Sequence, residues 1–161
     1  MARRLVFVFA GILLAGWMAG AAAGPNPADG QKIDACLKAA SKNGASGVAC
    51  IGIIADPCIA AASKTNSYRK DSVACAAREL AIWTTRLPRA VQSAAKGGTK
   101  AMATSVDASQ KSFTDSLAKL CPLYDQVDPD MALGGATYCR LHATAIRVLA
   151  LERLAAAVNP H

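Results

Sequence analysis

The sequence predicts an all-α fold, a disulfide-stapled bundle of about four to five helices ending in a long antiparallel helical hairpin. Apolar residues recur at spacings of three and four in several windows, the period of an amphipathic helix. No window alternates apolar and polar residues with the β-branched enrichment typical of a strand. Six cysteines provide for disulfides between the helices.

The N-terminus has the three parts of a signal peptide. Two arginines precede an apolar run over residues 5–17, and small residues then allow cleavage after Ala21 or Ala23. A membrane anchor is the alternative, but the run is shorter than the roughly 20 residues of a spanning helix. We therefore predict a signal peptide over residues 1–23, no stable membrane anchor after cleavage, and a periplasmic or secreted protein.

Removing the two signal-peptide arginines leaves 16 basic against 11 acidic side chains, a net charge of +5 on residues 24–161. The excess is spread along the chain, without basic runs interleaved with aromatic residues, so we do not expect nucleic-acid binding. A weak attraction to anionic envelope surfaces remains an alternative. The length of the mature chain predicts a single domain.

All cysteines follow the predicted cleavage site, and an even number in an exported domain indicates disulfides, with fifteen possible pairings. A zinc site is disfavoured because C-x-x-C is absent and the only histidines are His142 and His161. The missing C-x-x-C also argues against thioredoxin-like chemistry. We expect neither a metal nor a cofactor. The cysteines are Cys36, Cys50, Cys58, Cys75, Cys121 and Cys139.

In the first half of the mature chain, residues 26–41 are predicted to form a helix capped by Asp29. A short second element, residues 46–55, ends before Asp56-Pro57. Two helices joined by a few residues lie antiparallel, an arrangement that can bring Cys36 near Cys50. Residues 58–72 are predicted to form a loop.

The next helix is predicted to begin at Asp71 or Ser72, which places Cys75 within reach of Cys58. Pro88 predicts a kink or a restart of this helix. Its apolar face steps by three and four residues. The members of that face are Val73, Ala76, Leu80, Trp83, Leu87 and Val91.

Gly97-Gly98 separates this helix from a hairpin. Thr99 caps the first predicted helix of the hairpin, an acidic loop over residues 125–135 follows, and the last helix opens with Cys139. A Cys121–Cys139 bond would lock the hairpin and contribute roughly 3 kcal/mol by chain entropy. The predicted inward faces are Met102, Val106, Gln110, Phe113, Leu117 and Leu120, then Leu141, Ala145, Val148, Leu151, Ala155 and Val158.

From about residue 58 to residue 155 the chain resembles the lysozyme inhibitor LprI-like domain of exported bacterial proteins. Two departures are Phe113, where the family usually has Trp, and Leu117, where Arg is common. Pro88 also falls where the family continues a helix. The matching positions are Cys58, Cys75, Glu79, Trp83, Gln110, Phe113, Cys121, Gly134, Gly135, Cys139, Leu141, Thr144 and Arg147.

The resemblance implies an all-helical fold with disulfides 58–75 and 121–139, which leaves Cys36 for Cys50. It also implies that the protein is not an enzyme but inhibits lysozyme by occluding its cleft, where a pair of carboxylates acts. The loop over residues 124–135 is the candidate projection, and its candidate contacts are Tyr124, Asp125, Asp128 and Asp130. The alternative for these aspartates is helix caps and solvated turn residues.

Glu79, Trp83 and Gln110 allow two interpretations. They form either a binding patch, or structural positions in which Trp83 is core, Glu79 a hydrogen-bonding partner and Gln110 a bridge between helices. Arg147 is then a candidate ion-pair partner of Glu79. The alternative function is a periplasmic structural or interaction module that binds another envelope protein. No motif of nucleophilic, metal or phosphate chemistry supports an enzyme.

Overall fold

The computed structural model describes residues 26–127 and 134–159. Every regular element in these two stretches is helical, which confirms the all-α prediction. None of these helices combines the length and apolar character needed to cross a membrane. The predicted signal peptide lies outside the described residues. The helices are α1 (Pro27–Lys42), α2 (Ala55–Ala62), α3 (Tyr68–Lys96), α4 (Lys100–Leu120), the single turn α5 (Tyr124–Val127) and α6 (Gly135–Val158), with 3₁₀ turns at Gly47–Cys50 and Cys121–Leu123.

The N-cap of α1 is Asn26, not Asp29 as predicted. The Asn26 side chain accepts a hydrogen bond from the N–H of Ala28, and Pro27 occupies the first helical position, where its fixed φ suits a helix start. Asp29 is instead 1% exposed. Its carboxylate pairs with Arg78 of α3, whose Nη2 lies 2.8 Å from Oδ1. The residue therefore ties α1 to α3.

Asp56-Pro57 does not end the second element but lies in the first turn of α2. Proline is tolerated there because the first N–H groups of a helix have no intrahelical partner. The predicted loop over residues 58–72 is correspondingly wrong in its bounds. Cys58 belongs to α2, and α3 already begins at Tyr68.

Helix α3 runs without a restart through Pro88, an exposed position. It forms the centre of the fold, because α6 and α2 both make their most extensive contacts with it. Trp83 of α3 and Leu141 and Val148 of α6 are fully buried between the helices. The predicted inward positions Ala145 and Leu151 of α6 are buried as well.

The predicted pairing of α4 with α6 needs correction, because α6 packs mainly on α3. Thr99 caps α4 as expected, its side chain accepting from the N–H of Met102. Of the predicted α4 face only Val106 is buried, while Leu120 is 53% exposed. The C-terminal part of α4 therefore has an incompletely covered apolar side.

Three disulfides join Cys36 to Cys50, Cys58 to Cys75 and Cys121 to Cys139. They are the same pairs that the resemblance implies. Their Cα–Cα distances of 5.8, 5.6 and 5.5 Å lie in the ordinary range. Three disulfides in one small domain are typical of proteins that fold in an oxidising compartment.

Candidate binding surface

The Cys121–Cys139 bond joins the end of α4 to the second turn of α6. Cys121 itself is completely buried. Asp125 of α5 adds a second connection, because its Oδ1 accepts a 2.7 Å hydrogen bond from the N–H of Ala136 in the first turn of α6. This carboxylate therefore acts as a helix cap, in agreement with the structural alternative for the acidic loop. Asp128 and Asp130 lie outside the described residues.

Gly134 and Gly135 allow the chain to enter α6 close to α3. Both have positive φ, 83° and 51°, which strongly favours glycine. A Cβ at Gly134 would stand 3.0 Å from the carbonyl oxygen of Ser72 and 3.2 Å from the Cβ of Ala76. Gly134 is thus a requirement of helix packing, and Gly135 of the backbone conformation at the start of α6.

A groove of about 470 Å³ lies beside this disulfide, between the end of α4, α5 and the N-terminal half of α6. We call it the apolar groove. Leu120, Tyr124 and Ile146 on its walls are 53%, 48% and 50% exposed. Its other lining residues are Gly135, Tyr138, Cys139, His142 and Ala143.

The apolar surface continues along the chain next to the groove. Leu123 is 48% exposed and Val127 is 77% exposed. Val127 is the last residue of the first described stretch, and the second begins at residue 134. Exposed large apolar residues are unremarkable singly, but a cluster of them is typical of an interaction site.

One side of the apolar groove carries polar groups. The hydroxyl of Tyr138 donates a 2.7 Å hydrogen bond to Oδ1 of Asp56 on α2. Burial of the phenol and, secondly, this bond raise the pKa of Tyr138 well above its ordinary value. The Tyr138 ring lies 4.6 Å from the ring of His142, whose Nε2 is buried without a hydrogen-bond partner. Tyr138 therefore stays protonated and fixed in this wall.

The structure does not place Glu79 and Trp83 on a binding patch, because both are completely buried. Oε1 of Glu79 accepts from the N–H of Gly52 at 2.8 Å and from Nε1 of Trp83 at 3.0 Å. Oε2 accepts from the N–H groups of Ile54 and Ala55, both at 2.9 Å. The carboxylate thus caps the start of α2 from another helix, and all four bonds are internal.

Arg147 does not pair with Glu79. Its Nε donates to Oε1 of Gln110 at 3.2 Å and its Nη2 donates to Oγ of Ser109 at 2.7 Å. The guanidinium also lies 5.6 Å from the centre of the Phe113 ring. Gln110 therefore bridges α4 and α6, as the structural interpretation predicts, while Glu79 faces the segment before α2. Leu141 and Thr144 are buried in α6.

Tyr138, His142 and Ile146 were not among the residues that the sequence singled out for binding. Their spacing of four places them on one side of α6, distinct from the buried side that contains Leu141 and Val148. The sequence pattern that could have indicated these residues is a second row of large side chains along α6, separate from the buried row. Of the two predicted contacts that the structure describes, Tyr124 lines the groove and Asp125 does not.

Within the described stretches no group of three or more His, Cys, Asp or Glu side chains is arranged to hold a metal ion. No family model, no curated protein and no solved structure matches the chain. The resemblance to lysozyme inhibitor LprI-like domains thus stays a prediction from the residues.

Proposed function

We propose that the chain is an exported, non-enzymatic binding protein that docks on a partner protein through the apolar groove. The observation that carries this proposal is the cluster of exposed apolar side chains, Leu120, Tyr124 and Ile146, on the groove walls. The centres of protein interfaces are poor in charged residues and rich in aromatic ones. Tyr124 lines the groove, and tyrosine is one of the residue types that carry most of the binding energy in protein interfaces.

The base of the groove is rigid, which supports binding. Cys121–Cys139 and the bond from Ala136 to Asp125 both fix the two ends of the segment over residues 124–135. A segment held in its bound geometry loses less conformational entropy on association.

Lysozyme is the partner we propose, on the resemblance described above. Inhibition requires no chemistry, since a protein that covers the cleft excludes substrate from the two carboxylates. The contact is expected to rest on apolar burial around Tyr124, because Asp125 already serves α6 and a net charge of +5 does not steer the chain toward a basic enzyme.

The second candidate is an interaction module that binds another envelope protein. The apolar lining of the groove favours it as much as it favours lysozyme, since neither the groove walls nor Asp125 offers a free carboxylate to a cationic partner. The two candidates share the binding surface and differ in the partner.

Lysozyme turnover in the presence of the purified, oxidised mature chain tests the first candidate. We expect inhibition at micromolar protein for at least one lysozyme class. Ile146→Asp should weaken it at least about tenfold, because a charge placed in the groove must lose its hydration on binding. Ala101→Asp introduces the same charge at an exposed position at the other end of α4 and should leave inhibition unchanged.

Absence of inhibition for every lysozyme class removes lysozyme as the partner. Inhibition that is equal in Ile146→Asp and in the wild type moves the contact away from the groove. The second candidate is then tested with a photo-crosslinking amino acid at position 146. It predicts one cross-linked envelope protein at that position and none at position 101, and equal products at both positions would overturn it.

A further inference from the structure

A second concave site lies further along α6. We call it the charged cleft, a space of about 440 Å³ between α1, α3 and the C-terminal half of α6. Glu152 follows His142 by ten residues, which corresponds to roughly 15 Å along a helix. The charged cleft is therefore separate from the apolar groove. Its lining residues are Asp34, Arg86, Arg89, Ala90, Ser93, Glu152 and Ala155.

Two of the four charges in the charged cleft neutralise each other. Nη2 of Arg86 forms an ion pair with Oδ1 of Asp34 across α3 and α1. The Arg86 guanidinium also lies 5.4 Å from the centre of the Trp83 ring, and its side chain is only 15% exposed. Arg86 is thus held in place and already has its counter-ion.

Arg89 and Glu152 are the other two charges, and they form no ion pair with each other. Although Glu152 as a residue is exposed, burial of its carboxyl group raises the pKa, with a further increase from Asp34 and an opposing effect of Arg86. Burial in the cleft therefore disfavours the ionised form of Glu152. A cation brought next to this carboxylate would reverse that effect.

We propose that the charged cleft binds a small zwitterion, whose carboxylate pairs with Arg89 and whose ammonium group pairs with Glu152. The guanidinium of Arg89 offers the planar donor pair that carboxylates accept. Ser93 follows Arg89 by four residues and adds a hydroxyl on the same side of α3. The ligand class is a free amino acid or a short peptide with both ends free.

The balance of charges selects this class over single ions. A simple anion at Arg89 would share the cleft with the carboxylate of Glu152, and a simple cation at Glu152 would share it with the guanidinium of Arg89. One positive and one negative side chain that are not joined in an ion pair line the same cleft, and they complement a ligand that carries both signs.

Two-dimensional NMR titration of the oxidised mature chain tests the proposal. The probes are glycine, triglycine, N-acetylglycine and glycinamide, each up to millimolar concentration. We expect glycine or triglycine to shift the amide signals around Arg89 and Glu152, and the two compounds lacking one charge to bind at least about tenfold more weakly. Comparing the affinity for glycine with the affinity for triglycine shows whether the cleft prefers an amino acid or a peptide.

Arg89→Gln and Glu152→Gln should each weaken the binding of the zwitterion at least about tenfold. Arg140→Gln, at an exposed position of α6 outside the cleft, should have no effect. Circular dichroism of each variant verifies that it is folded. No shift with either zwitterion, equal binding of the singly charged compounds, or unchanged affinity in both cleft variants would overturn the proposal.

Discussion

Nε1 of Trp83 donates a 3.0 Å hydrogen bond to Oε1 of Glu79, one helical turn earlier on α3. The same carboxylate receives the N–H groups of Gly52, Ile54 and Ala55. A single buried anion therefore connects the largest core side chain to the start of α2. It replaces the side-chain cap that α2 lacks at Ile54.

Glu79→Gln should lower the free energy of unfolding by about 2–3 kcal/mol. The NH₂ group of the glutamine cannot accept a hydrogen bond, so buried N–H donors are left unsatisfied. Urea unfolding followed by circular dichroism measures this. The control is Asp115→Asn in the exposed pair with Lys111, which should change stability by less than about 1 kcal/mol. Equal stabilities of the two variants would contradict the capping role.

Asp125→Ala should cost about 1 kcal/mol, the usual value for a lost helix cap, because the N–H of Ala136 loses its acceptor. Asp125→Asn keeps a side-chain oxygen at that place and should cost clearly less. Thermal unfolding of both variants separates the hydrogen bond from the charge. An Asp125→Ala variant as stable as the wild type would show that the cap contributes nothing.

Gly134→Ala should destabilise the chain by about 1–2 kcal/mol. The left-handed φ of 83° strains any other residue, and the new methyl group would approach Ser72 and Ala76. Gly30→Ala is the matched control in α1, where a Cβ meets nothing within 4 Å. This control should instead stabilise by about 0.5–1 kcal/mol. Relative to the wild type, we expect the urea midpoint to fall in Gly134→Ala and to rise in Gly30→Ala.

Tyr138 predicts an alkaline loss of stability. Its pKa is raised in the folded chain, so the folded state keeps the proton after the unfolded chain has released it. The contribution to stability is complete below the ordinary tyrosine pKa of about 10 and is lost as the pH rises above it. Tyr138→Phe should therefore show a shallower decline of the urea midpoint above about pH 10. Identical declines in both proteins would contradict this prediction.

Periodicity sufficed to predict the long helices. Thr99 caps α4 as predicted, and Leu141, Ala145, Val148 and Leu151 form the buried side of α6 as predicted. Both features depend on residues close together in the sequence. Local spacing therefore contains the information that specifies them.

Features that depend on distant residues were not predictable in the same way. Glu79 caps a segment 24–27 residues away, and no local pattern indicates that pairing. The prediction of a stop at Asp56-Pro57 is wrong because proline suits both turns and the first turn of a helix, and the tertiary cap from Glu79 decides between them. The Gln110–Arg147 bridge, by contrast, matched the structural interpretation of Gln110.

The three disulfides connect consecutive cysteines, separated by 14, 17 and 18 residues, and no bond encloses another cysteine. If each cysteine is oxidised with the next unpaired one, starting from the N-terminal end, the three native pairs result. We therefore expect native pairing of this protein to need an oxidant but no shuffling of mispaired bonds by an isomerase.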